Sequence, residues 1–329
     1  GVLYLASYVR AKLPIDVGVC FQRVEHLTTK DLIQRAIAFN PDFVGISYMT
    51  VGAHVIPELC AGITEALPNC RIFLGGPHVS AVGGEALEGN TASVAVPGEG
   101  ETALEALLQC EGEKDWAKVP DIYYRSSDGQ IVHTGGQRPL IMDLDSIPMP
   151  AYDLIDITKF WKYRAWSPLG KRYISLFSSR GCPYNCIYCH NIFGKKYRAH
   201  SIERIIEEIE TYRHLYGIKE IEFLDDTFNL DKKRVMDFCD ALRQKSILLN
   251  LSFPQLRVDR LDAEQIDNLL ERGTHSMTFA PETGSPRLQK YIGKNLNLDK
   301  FIENTAYCAD RRIFTIGYFM LGFHTETEE

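Results

Sequence analysis

Hydrophobic and polar residues along the first 110 positions alternate in blocks that suit helices and strands in turn. Apolar residues recur at helical spacing in four segments: VLYLASYVRAKL, TKDLIQRAIAF, HVIPELCAGITEAL and TALEALLQC. Short apolar runs that predict strands lie at 17–21, 42–50, 71–76 and 92–101. Strands separated by helices, without hairpin signals, predict a Rossmann-like, doubly wound parallel sheet in an α/β fold.

The predicted strand ends of this sheet are rich in small and polar residues. Ligands of doubly wound sheets bind beyond the carboxyl ends of the strands. There the chain carries Ser47 to Thr50, GGPHVS at 75–80 and PGEGE at 97–101. Glycine at such ends would let a bulky planar or phosphate-bearing ligand approach the backbone. The same glycines also suit ordinary strand-to-helix turns, so spacing alone leaves both interpretations open.

The middle of the chain has weaker periodicity. DIYYRSSDGQIVHT (121–134) predicts a hairpin that turns at Asp128-Gly129. DLDSIPMPAYDLI (143–155) contains two prolines and predicts a linker. Three aromatic residues either flank the ligand site of the next domain or simply pack the linker against it: Trp161, Tyr163 and Trp166.

From residue 171 onward the pattern becomes a regular repeat of strand and helix. Strands are predicted at 172–179, 218–226, 249–257, 275–285 and 313–321. Helices are predicted at 202–217, 232–245, 263–273 and 298–312. Ser201 is the expected N-cap and Gly217 the expected stop of the first of them, and Asp262 is the expected cap of the third. This alternation predicts a partial (β/α)6 TIM-type barrel, in which chemistry belongs to the loops after the strands. We expect three segments: a sheet domain at 1–112, a linker with a small hairpin at 113–170, and the barrel at 171–329.

Three of the nine cysteines stand close together in RGCPYNCIYCH, at Cys182, Cys186 and Cys189. A structural zinc site needs four protein ligands, and the nearest further candidate, His190, is adjacent to Cys189. An iron–sulfur cube held by three thiolates would instead leave one iron open to a substrate or cofactor. A zinc site with three cysteines stays possible but is uncommon. The other six cysteines lie in or beside apolar runs and are expected to be buried free thiols: Cys20, Cys60, Cys70, Cys110, Cys239 and Cys308.

Charge and composition narrow the class of protein. The net charge is −7, with acidic and basic residues mixed along the chain, which argues against a nucleic-acid-binding surface. No apolar run is long enough for a membrane span, and there is no secretory signal. The many unpatterned cysteines favour a reducing, cytoplasmic setting. Because the chain starts at Gly1 within a helix and ends on GFHTETEE, we expect a fragment cut at both ends, lacking the first strand of the sheet.

The C-x3-C-x2-C spacing after the first barrel strand resembles the signature of the radical S-adenosylmethionine (radical SAM) enzymes. The resemblance implies a [4Fe–4S] cluster on Cys182, Cys186 and Cys189. It also implies that the open iron chelates S-adenosylmethionine and that an electron from the cluster cleaves it to a 5′-deoxyadenosyl radical. Such an enzyme needs an electron donor such as a flavodoxin or a ferredoxin.

The same resemblance suggests further cofactor contacts at the strand ends. Tyr188 corresponds to the aromatic residue packed near the adenine, although simple loop packing is an alternative. FLDD, with Asp225 and Asp226, stands where the family has a Gly-Gly-Glu-like turn for the cofactor's amino group, unless one of them caps the next helix. Arg257 is expected to contact the methionine carboxylate, with a surface ion pair as the alternative. Glu282 and Ser285 are expected to contact the ribose hydroxyls.

The amino-terminal half resembles the cobalamin-binding domain that precedes many radical SAM barrels. The resemblance rests on GVLYLASYVR, ISYMT, LGGPHVS and PGEGETALEALL, in that order. It assigns a set of residues to the border of the corrin and its nucleotide tail: Ser47, Thr50, Gly75, Gly76, Pro77, His78, Gly98, Glu99 and Gly100. No Asp-x-His motif occurs in the chain, and neither His54 nor His78 is assigned as a cobalt ligand.

Together these observations predict a cobalamin-dependent radical SAM enzyme that methylates an unactivated carbon through methylcobalamin. Members of the same family that form rings, rearrange or methylthiolate their substrates are alternatives. An iron–sulfur electron-transfer or sensor module is the non-enzymatic alternative. The substrate is expected to be a small molecule whose identity the sequence leaves open.

Overall fold

A computed structural model describes residues 1–163 and 172–327. The chain divides into two compact units, one of Gly1–Met142 with Ser146–Phe160 and the other of Asp143–Asp145 with Trp161–Glu329. Trp166 and the predicted start of the barrel at 171 lie outside the described residues. The division into 1–112, 113–170 and 171–329 therefore stays a prediction.

The first unit is built on one five-stranded sheet. Its strands, in the spatial order in which they are paired, are β1 (Phe43–Ser47), β2 (Arg71–Gly75), β3 (Val94–Ala95), β4 (Tyr123–Arg125) and β5 (Ile131–His133). The first three are parallel, as predicted, and the last two are antiparallel. The predicted hairpin is confirmed, with Gly129 at φ 84° in its turn, and it extends this sheet by pairing with β3.

Eight helices of the first unit are described, and most follow the predicted pattern. They are α1 (Val2–Lys12), α2 (Gln22–Glu25), α3 (Thr29–Phe39), α4 (Ile56–Ala66), α5 (Pro77–Val82), α6 (Glu101–Leu108), α7 (Glu113–Trp116) and α8 (Ile157–Phe160). Thr28 and Asp31 form a capping box at the start of α3, and α4 has a proline in its first turn. Short 3-10 helices lie at Thr50–Val55, Gly83–Leu87, Leu144–Ser146 and Tyr152–Leu154, and one in the second unit lies at Val258–Arg260.

The prediction of a strand at 17–21 is wrong. These residues belong to no described strand or helix, and β1 is hydrogen-bonded only to β2 among the described strands. An apolar run becomes a strand only where its backbone groups find a ladder partner. Cys20 lies in this run and is exposed, contrary to expectation, whereas Cys60, Cys239 and Cys308 are buried and Cys70 and Cys110 are partly buried.

Both faces of the first sheet are covered by apolar packing. Because side chains alternate along a strand, Ile72 and Leu74 of β2 pack with α4 on one face. Phe73 packs with Leu107 of α6 and with Trp116 on the other face. This two-sided core is the mark of a doubly wound sheet and confirms the predicted fold class.

The second unit contains a parallel sheet of five strands that follow one another in sequence. The strands of this unit are β6 (Tyr173–Leu176), β7 (Ser179–Arg180), β8 (Arg198–Ala199), β9 (Glu220–Phe223), β10 (Asn250–Leu256), β11 (Thr274–Glu282) and β12 (Phe314–Phe319). The large sheet has the order β12-β11-β10-β9-β6, and β7 pairs with β8 separately. Sequential parallel strands joined by helices form an arc of a TIM-type barrel, as predicted.

The helices of the barrel unit begin and end close to the predicted positions. They are α9 (Ile202–Tyr216), α10 (Lys232–Gln244), α11 (Ala263–Glu271), α12 (Pro286–Tyr291) and α13 (Leu298–Asp310). Ser201 and Asp262 are N-caps and Gly217 ends α9 at φ 61°, all as predicted. The short helix α12, which Ser285 caps, was not predicted because its six residues are too few for a periodic signal.

Aromatic packing between the strands and the helices holds the barrel unit together. The rings of Phe223 in β9 and Phe253 in β10 stack with centroids 5.1 Å apart, and Phe238 of α10 packs edge-on against Phe223. Since residues alternate along β9, Glu220 and Glu222 lie on the opposite face of the strand from Phe223. No helix among residues 1–163 and 172–327 is both long and apolar enough to cross a membrane.

Glu208 of α9 gives the barrel unit a pH-dependent stability. Its side chain is 2% exposed, and burial raises the pKa of its carboxyl from 4.5 to about 7 despite Arg204 at 3.7 Å. The unfolded state therefore ionises at lower pH than the folded state, and the free energy of unfolding falls as pH rises from about 4.5 to about 7. Because glutamine does not ionise, we expect Glu208→Gln to prevent up to about 3 kcal/mol of this fall in the free energy of unfolding.

The measurement is urea unfolding of wild type and Glu208→Gln at several pH values between 4 and 8. The two proteins should differ little at pH 4, and the variant should be more stable at pH 8. Parallel curves across the whole range would contradict the buried, protonated state of Glu208. Glu203→Gln, an exposed position in the same helix that does not contribute to the raised pKa of Glu208, is the matched control and should leave the pH profile unchanged.

Candidate active site

The three clustered cysteines lie on a closed loop after the first barrel strand. We call residues 181–197 the cysteine loop. Its two ends are joined by the pairing of β7 with β8, in which Arg180 lies opposite Arg198. At its start Gly181 has φ 86°, and a Cβ there would lie 2.3 Å from the carbonyl oxygen of Lys196. Only glycine fits this close approach, which explains the glycine before Cys182.

Backbone hydrogen bonds fix the interior of the cysteine loop. The Cys189 N–H donates to the Cys186 carbonyl over 3.2 Å. The Ile187 N–H donates over 3.0 Å to the carbonyl of Ile292, directly after α12. Beside it, Gly293 approaches Asn185 so closely that a Cβ would lie 2.7 Å from the Asn185 carbonyl oxygen. The segment after α12 therefore braces the cysteine loop, which the sequence did not reveal.

The three thiols are free and close to one another. Cys182 and Cys186 are partly buried and Cys189 is exposed. Although the residue as a whole is exposed, partial burial of the Cys189 thiol raises its pKa, and the nearby Cys186 and Cys182 raise it further. The Cys182 Sγ lies 3.5 Å from the hydroxyl of Thr227, in the loop after β9.

This donor set suits an iron–sulfur cube. Among the described residues, no three His, Cys, Asp or Glu side chains converge closely enough to hold one metal ion. In a cube each thiolate binds its own iron, so the three sulfurs need not converge. Three free thiols on one closed loop therefore fit a cube with one iron left open.

The two aspartates after β9 have different surroundings. The Asp225 carboxylate is buried and accepts hydrogen bonds from the Ser178 N–H over 2.6 Å and the Ser179 N–H over 3.0 Å. Burial raises the pKa of Asp225 to about 6. Asp225 thus braces the end of the first barrel strand. Neither it nor Asp226 caps the next helix, because Asp231 is the N-cap of α10.

Asp226 faces the cysteine loop instead. Its Oδ1 lies 3.6 Å from Nε2 of His190, directly after Cys189, and its side chain is mostly buried. Asp226 also contributes to the raised pKa of the Cys189 thiol. Of the two predicted carboxylates, Asp226 is therefore the one that borders the thiols.

Arg257, after β10, is held by the protein itself. Its guanidinium makes a buried, two-pronged ion pair with Asp259, with Nε 2.9 Å from Oδ1 and Nη2 3.2 Å from Oδ2. Nη2 also donates to the Lys294 carbonyl over 2.9 Å, and the guanidinium lies 3.8 Å from the ring centroid of Tyr184 in the cysteine loop. Asn229 fixes the backbone of Arg257 through two hydrogen bonds of 2.8 and 2.9 Å. Arg257 thus joins three loops.

Tyr188 and Glu282 meet across the cysteine loop and the end of β11. The Tyr188 hydroxyl donates to Glu282 Oε1 over 2.8 Å, and the Lys294 ammonium donates to the same oxygen over 3.0 Å. Burial raises the pKa of Tyr188, and its bond to Glu282 raises it further. Glu282 has φ 66°, a left-handed conformation that is costly for a residue with a side chain. The sequence predicted Tyr188 and Glu282 but not Lys294.

Glu282 and Ser285 line one cavity at the end of the barrel. The cavity has a volume of about 340 Å³ and is also lined by Phe319, Met320 and Leu321. The Ser285 hydroxyl caps α12 by accepting from the Leu288 N–H over 3.3 Å. Its proton remains to be donated elsewhere, since a hydroxyl is both donor and acceptor.

In the first unit, the ends of β1 and β2 pack without space for a side chain. Ser47 pairs with Gly75 in the sheet register, and Gly76 follows at φ 91°. A Cβ on Gly76 would lie 2.6 Å from the Ser47 Oγ and 2.9 Å from the Tyr48 backbone nitrogen. The glycine is therefore required by the close approach of the two strand ends.

Two further contacts join the predicted corrin-binding loops. Nδ1 of His78 lies 3.1 Å from the Thr50 hydroxyl, directly beyond the Gly76-Pro77 turn. Ser80 donates its hydroxyl to the Gly76 carbonyl over 3.0 Å and accepts from the Gly98 N–H over 2.9 Å.

The PGEGE loop is held from its other side as well. The Arg138 guanidinium donates to the Pro97 carbonyl, one residue before Gly98. Gly100 is the N-cap of α6, and Glu99 lies between these two glycines. Ser80 lies within the GGPHVS loop, but the sequence did not predict its role, because a serine in a turn carries no distinctive signal.

Comparisons with known proteins agree with this arrangement. The family model of the radical SAM superfamily matches residues 176–329, and that of the B12 binding domain matches residues 1–108. The uncharacterized methyltransferase PH0819 of Pyrococcus horikoshii is 34% identical over 100% of this chain and 70% of its own length. The cytidylyl-2-hydroxyethylphosphonate methyltransferase of Streptomyces wedmorensis is 28% identical over 97% of this chain and 64% of its own.

Solved structures share the fold. The cobalamin-dependent S-adenosylmethionine radical enzyme OxsB, with aqua-cobalamin and S-adenosylmethionine bound, aligns with a TM-score of 0.79 at 19% identity, over 97% of this chain and 46% of that one. The radical S-adenosylmethionine methyltransferase TsrM from Kitasatospora setae aligns with a TM-score of 0.77 at 18% identity, over 99% of this chain and 65% of that one. The chain thus spans about half to 70% of the length of these four proteins.

The glycine at 76 can be tested directly. We expect Gly76→Ala to lower the free energy of unfolding of the first unit by about 1–3 kcal/mol, because the new Cβ meets Ser47 and Tyr48 and the backbone is left-handed. Gly45→Ala in β1 is the matched control, since a Cβ there meets no heavy atom within 4 Å. Urea unfolding measures both. Equal stability of the two variants would contradict the close packing at Gly76.

Proposed function

Because this chain belongs to the radical SAM superfamily and carries a B12 binding domain ahead of its barrel, we propose that it is part of a cobalamin-dependent radical SAM methyltransferase. In this proposal the enzyme methylates an unactivated carbon of a small molecule. The observation that carries it is the cysteine loop, with three free thiols held side by side after the first barrel strand.

Each group at the barrel end has a role in this proposal. When bound, the cluster supplies the electron that cleaves S-adenosylmethionine, and cobalamin supplies the carrier for a methyl group. Cys182, Cys186 and Cys189 would be the ligands of the cluster, and this set of three thiolates would leave one iron open to the amino and carboxylate groups of S-adenosylmethionine. Asp226 lies beside Cys189 and His190 and is our candidate for the amino group.

The nucleoside part of S-adenosylmethionine is assigned to the cavity at the end of β11. Glu282 and Ser285 line it and offer an acceptor and a donor for the ribose hydroxyls. Tyr188 offers its ring to the adenine while its hydroxyl is bonded to Glu282. Asp225 and Arg257 are assigned supporting roles, because their charged groups are bonded to Ser178, Ser179 and Asp259.

Cobalamin is assigned to the carboxyl edge of the first sheet. The bare backbone at Gly75, Gly76 and Pro77 would let the corrin approach, with Ser47, Thr50 and His78 beside it. The Gly98-Glu99-Gly100 turn, tied to Gly76 through Ser80, would border the nucleotide tail.

Methyl transfer is favoured over the other reactions of the superfamily by the names of the relatives. PH0819 and the Streptomyces wedmorensis protein, at 34% and 28% identity, are both named methyltransferases. More distant relatives at 24% identity include the anaerobic magnesium-protoporphyrin IX monomethyl ester cyclase of Cereibacter sphaeroides. Methyl transfer from S-adenosylmethionine produces S-adenosylhomocysteine, whereas ring formation by a cyclase does not.

The proposed setting follows from the chemistry. Reductive cleavage of S-adenosylmethionine would consume one electron, so the enzyme would need a low-potential donor such as a flavodoxin or a ferredoxin. Nine free thiols suit a reducing compartment, and we propose the cytoplasm.

The cysteine loop provides the decisive test. We expect Cys182→Ser, Cys186→Ser and Cys189→Ser each to abolish formation of 5′-deoxyadenosine, because a cube cannot be held by two thiolates. The full-length protein is reconstituted anaerobically with iron, sulfide and cobalamin and given a strong reductant and S-adenosylmethionine. Iron and sulfide content, the visible spectrum and the nucleoside products are then measured.

Cys20→Ser is the matched control, because Cys20 is exposed and lies in the other unit. It should retain the cluster and the activity of wild type. Retention of a full cluster by any of the three loop variants would refute the ligand assignment. A wild-type cluster whose spectrum ignores S-adenosylmethionine would point to the electron-transfer or sensor alternative.

A further inference from the structure

Lys294 stands at the centre of a closed, three-way contact at the barrel end. Its Nζ lies 3.0 Å from Glu282 Oε1 and 3.2 Å from the Tyr188 hydroxyl, which itself lies 2.8 Å from the same Glu282 oxygen. The side chains of Lys294 and Glu282 are only 13% and 8% exposed. In a pair this buried, removal of one charge leaves the other without compensation.

The backbone of Lys294 is fixed from two sides. Its carbonyl accepts a hydrogen bond from Arg257 over 2.9 Å. The two residues before it, Ile292 and Gly293, pack against the backbone of the cysteine loop. Lys294 is therefore not a surface lysine that happens to fold over a carboxylate. Its ammonium contacts Glu282 from the segment after α12, which also packs against the cysteine loop.

Only one of the two carboxylate oxygens of Glu282 is hydrogen-bonded within the described residues. Both hydrogen bonds to its carboxylate reach Oε1, and Oε2 makes none with any residue of 1–163 or 172–327. Glu282 lines the cavity of about 340 Å³. Its φ of 66° persists only because the surrounding contacts hold it, among them the Met320 N–H, which donates to its carbonyl over 2.9 Å.

We propose that Lys294 is a positioning residue for S-adenosylmethionine. By holding Glu282 Oε1 and the Tyr188 hydroxyl together, it fixes the direction of Oε2 toward the ribose hydroxyls and keeps the Tyr188 ring in place for the base. The ammonium also balances the buried carboxylate without occupying the oxygen that faces the ligand. This inference rests on the proposed function, since it concerns the same nucleoside site.

The first arm of the test is ligand binding to the reconstituted full-length protein. Lys294→Met should weaken S-adenosylmethionine binding about tenfold in equilibrium dialysis, as loss of a supporting partner does at other sites. Iron and sulfide content should stay at the wild-type level. Lys294→Arg should recover part of the affinity, because it restores the charge. Lys290→Met, on the exposed side of α12, is the control and should bind as wild type does.

The second arm needs no cofactor. Urea unfolding of the cluster-free protein is compared for Lys294→Met, Glu282→Gln and the double variant. The shifts in the midpoint should not add, because each single change already breaks the contact, so the double variant should lose clearly less than the sum. Tyr188→Phe should lose affinity for S-adenosylmethionine to a smaller extent, because it removes only one of the two bonds to Oε1.

Three results would overturn the inference. Additive midpoint shifts would show that Lys294 and Glu282 are not coupled. Wild-type affinity in Lys294→Met, with coupling intact, would make the contact merely structural. Absence of S-adenosylmethionine binding by the wild-type protein would remove the ligand that Lys294 is said to serve. That last result is distinguishable because it appears without any variant and refutes the proposed function itself.

Discussion

Closure of the cysteine loop is the constraint on which the candidate active site depends. Three thiols must be presented side by side from one short segment, and the pairing of β7 with β8 brings the two ends of that segment together. The closure leaves no space for a side chain at Gly181, where a Cβ would lie 2.3 Å from the Lys196 carbonyl oxygen. A larger residue would force the strands apart and with them the first and last parts of the loop. The order of glycine and cysteine in the chain is thus a consequence of backbone sterics.

At the strand ends, charged side chains are hydrogen-bonded to other groups of the protein rather than to solvent. Asp225 follows β9 and receives two backbone N–H groups, and Arg257 follows β10 and is paired with Asp259. Burying such groups is costly unless each is matched by a partner. Because the matching is done within the protein, the carboxylates do not have to reorganise when a ligand arrives. Preorganisation of this kind is what a site for a multiply polar cofactor requires.

The sequence was sufficient to predict most of the fold and the thiols, and it failed where contacts are made between distant segments. The periodicity of hydrophobic residues predicted the five barrel strands, and capping residues such as Ser201 and Gly217 predicted the ends of α9 and α11. These features depend on local sequence alone. The segment at 17–21 was mistaken for a strand because apolar character does not reveal whether a ladder partner exists. Ser80, Asn229 and Lys294 were missed for a related reason. A serine, an asparagine or a lysine in a loop has no distinctive spacing, and its role arises only from a partner 12 to 106 positions away.

The distribution of unfavourable local features also points to the ends of the barrel strands. One face of β9 and β10 follows the ordinary rules, with Phe223 and Phe253 stacked in an apolar core, whereas the buried Glu220 and Glu222 on the other face of β9 already depart from them. The loops that follow break them, through a left-handed Glu282, a buried Asp225 and a lysine drawn into the interior. A well-packed apolar pair in place of Lys294 and Glu282 would satisfy stability as well or better. Sequences keep such costly groups where function needs them, so the costs themselves indicate that this edge was shaped to bind a polar ligand.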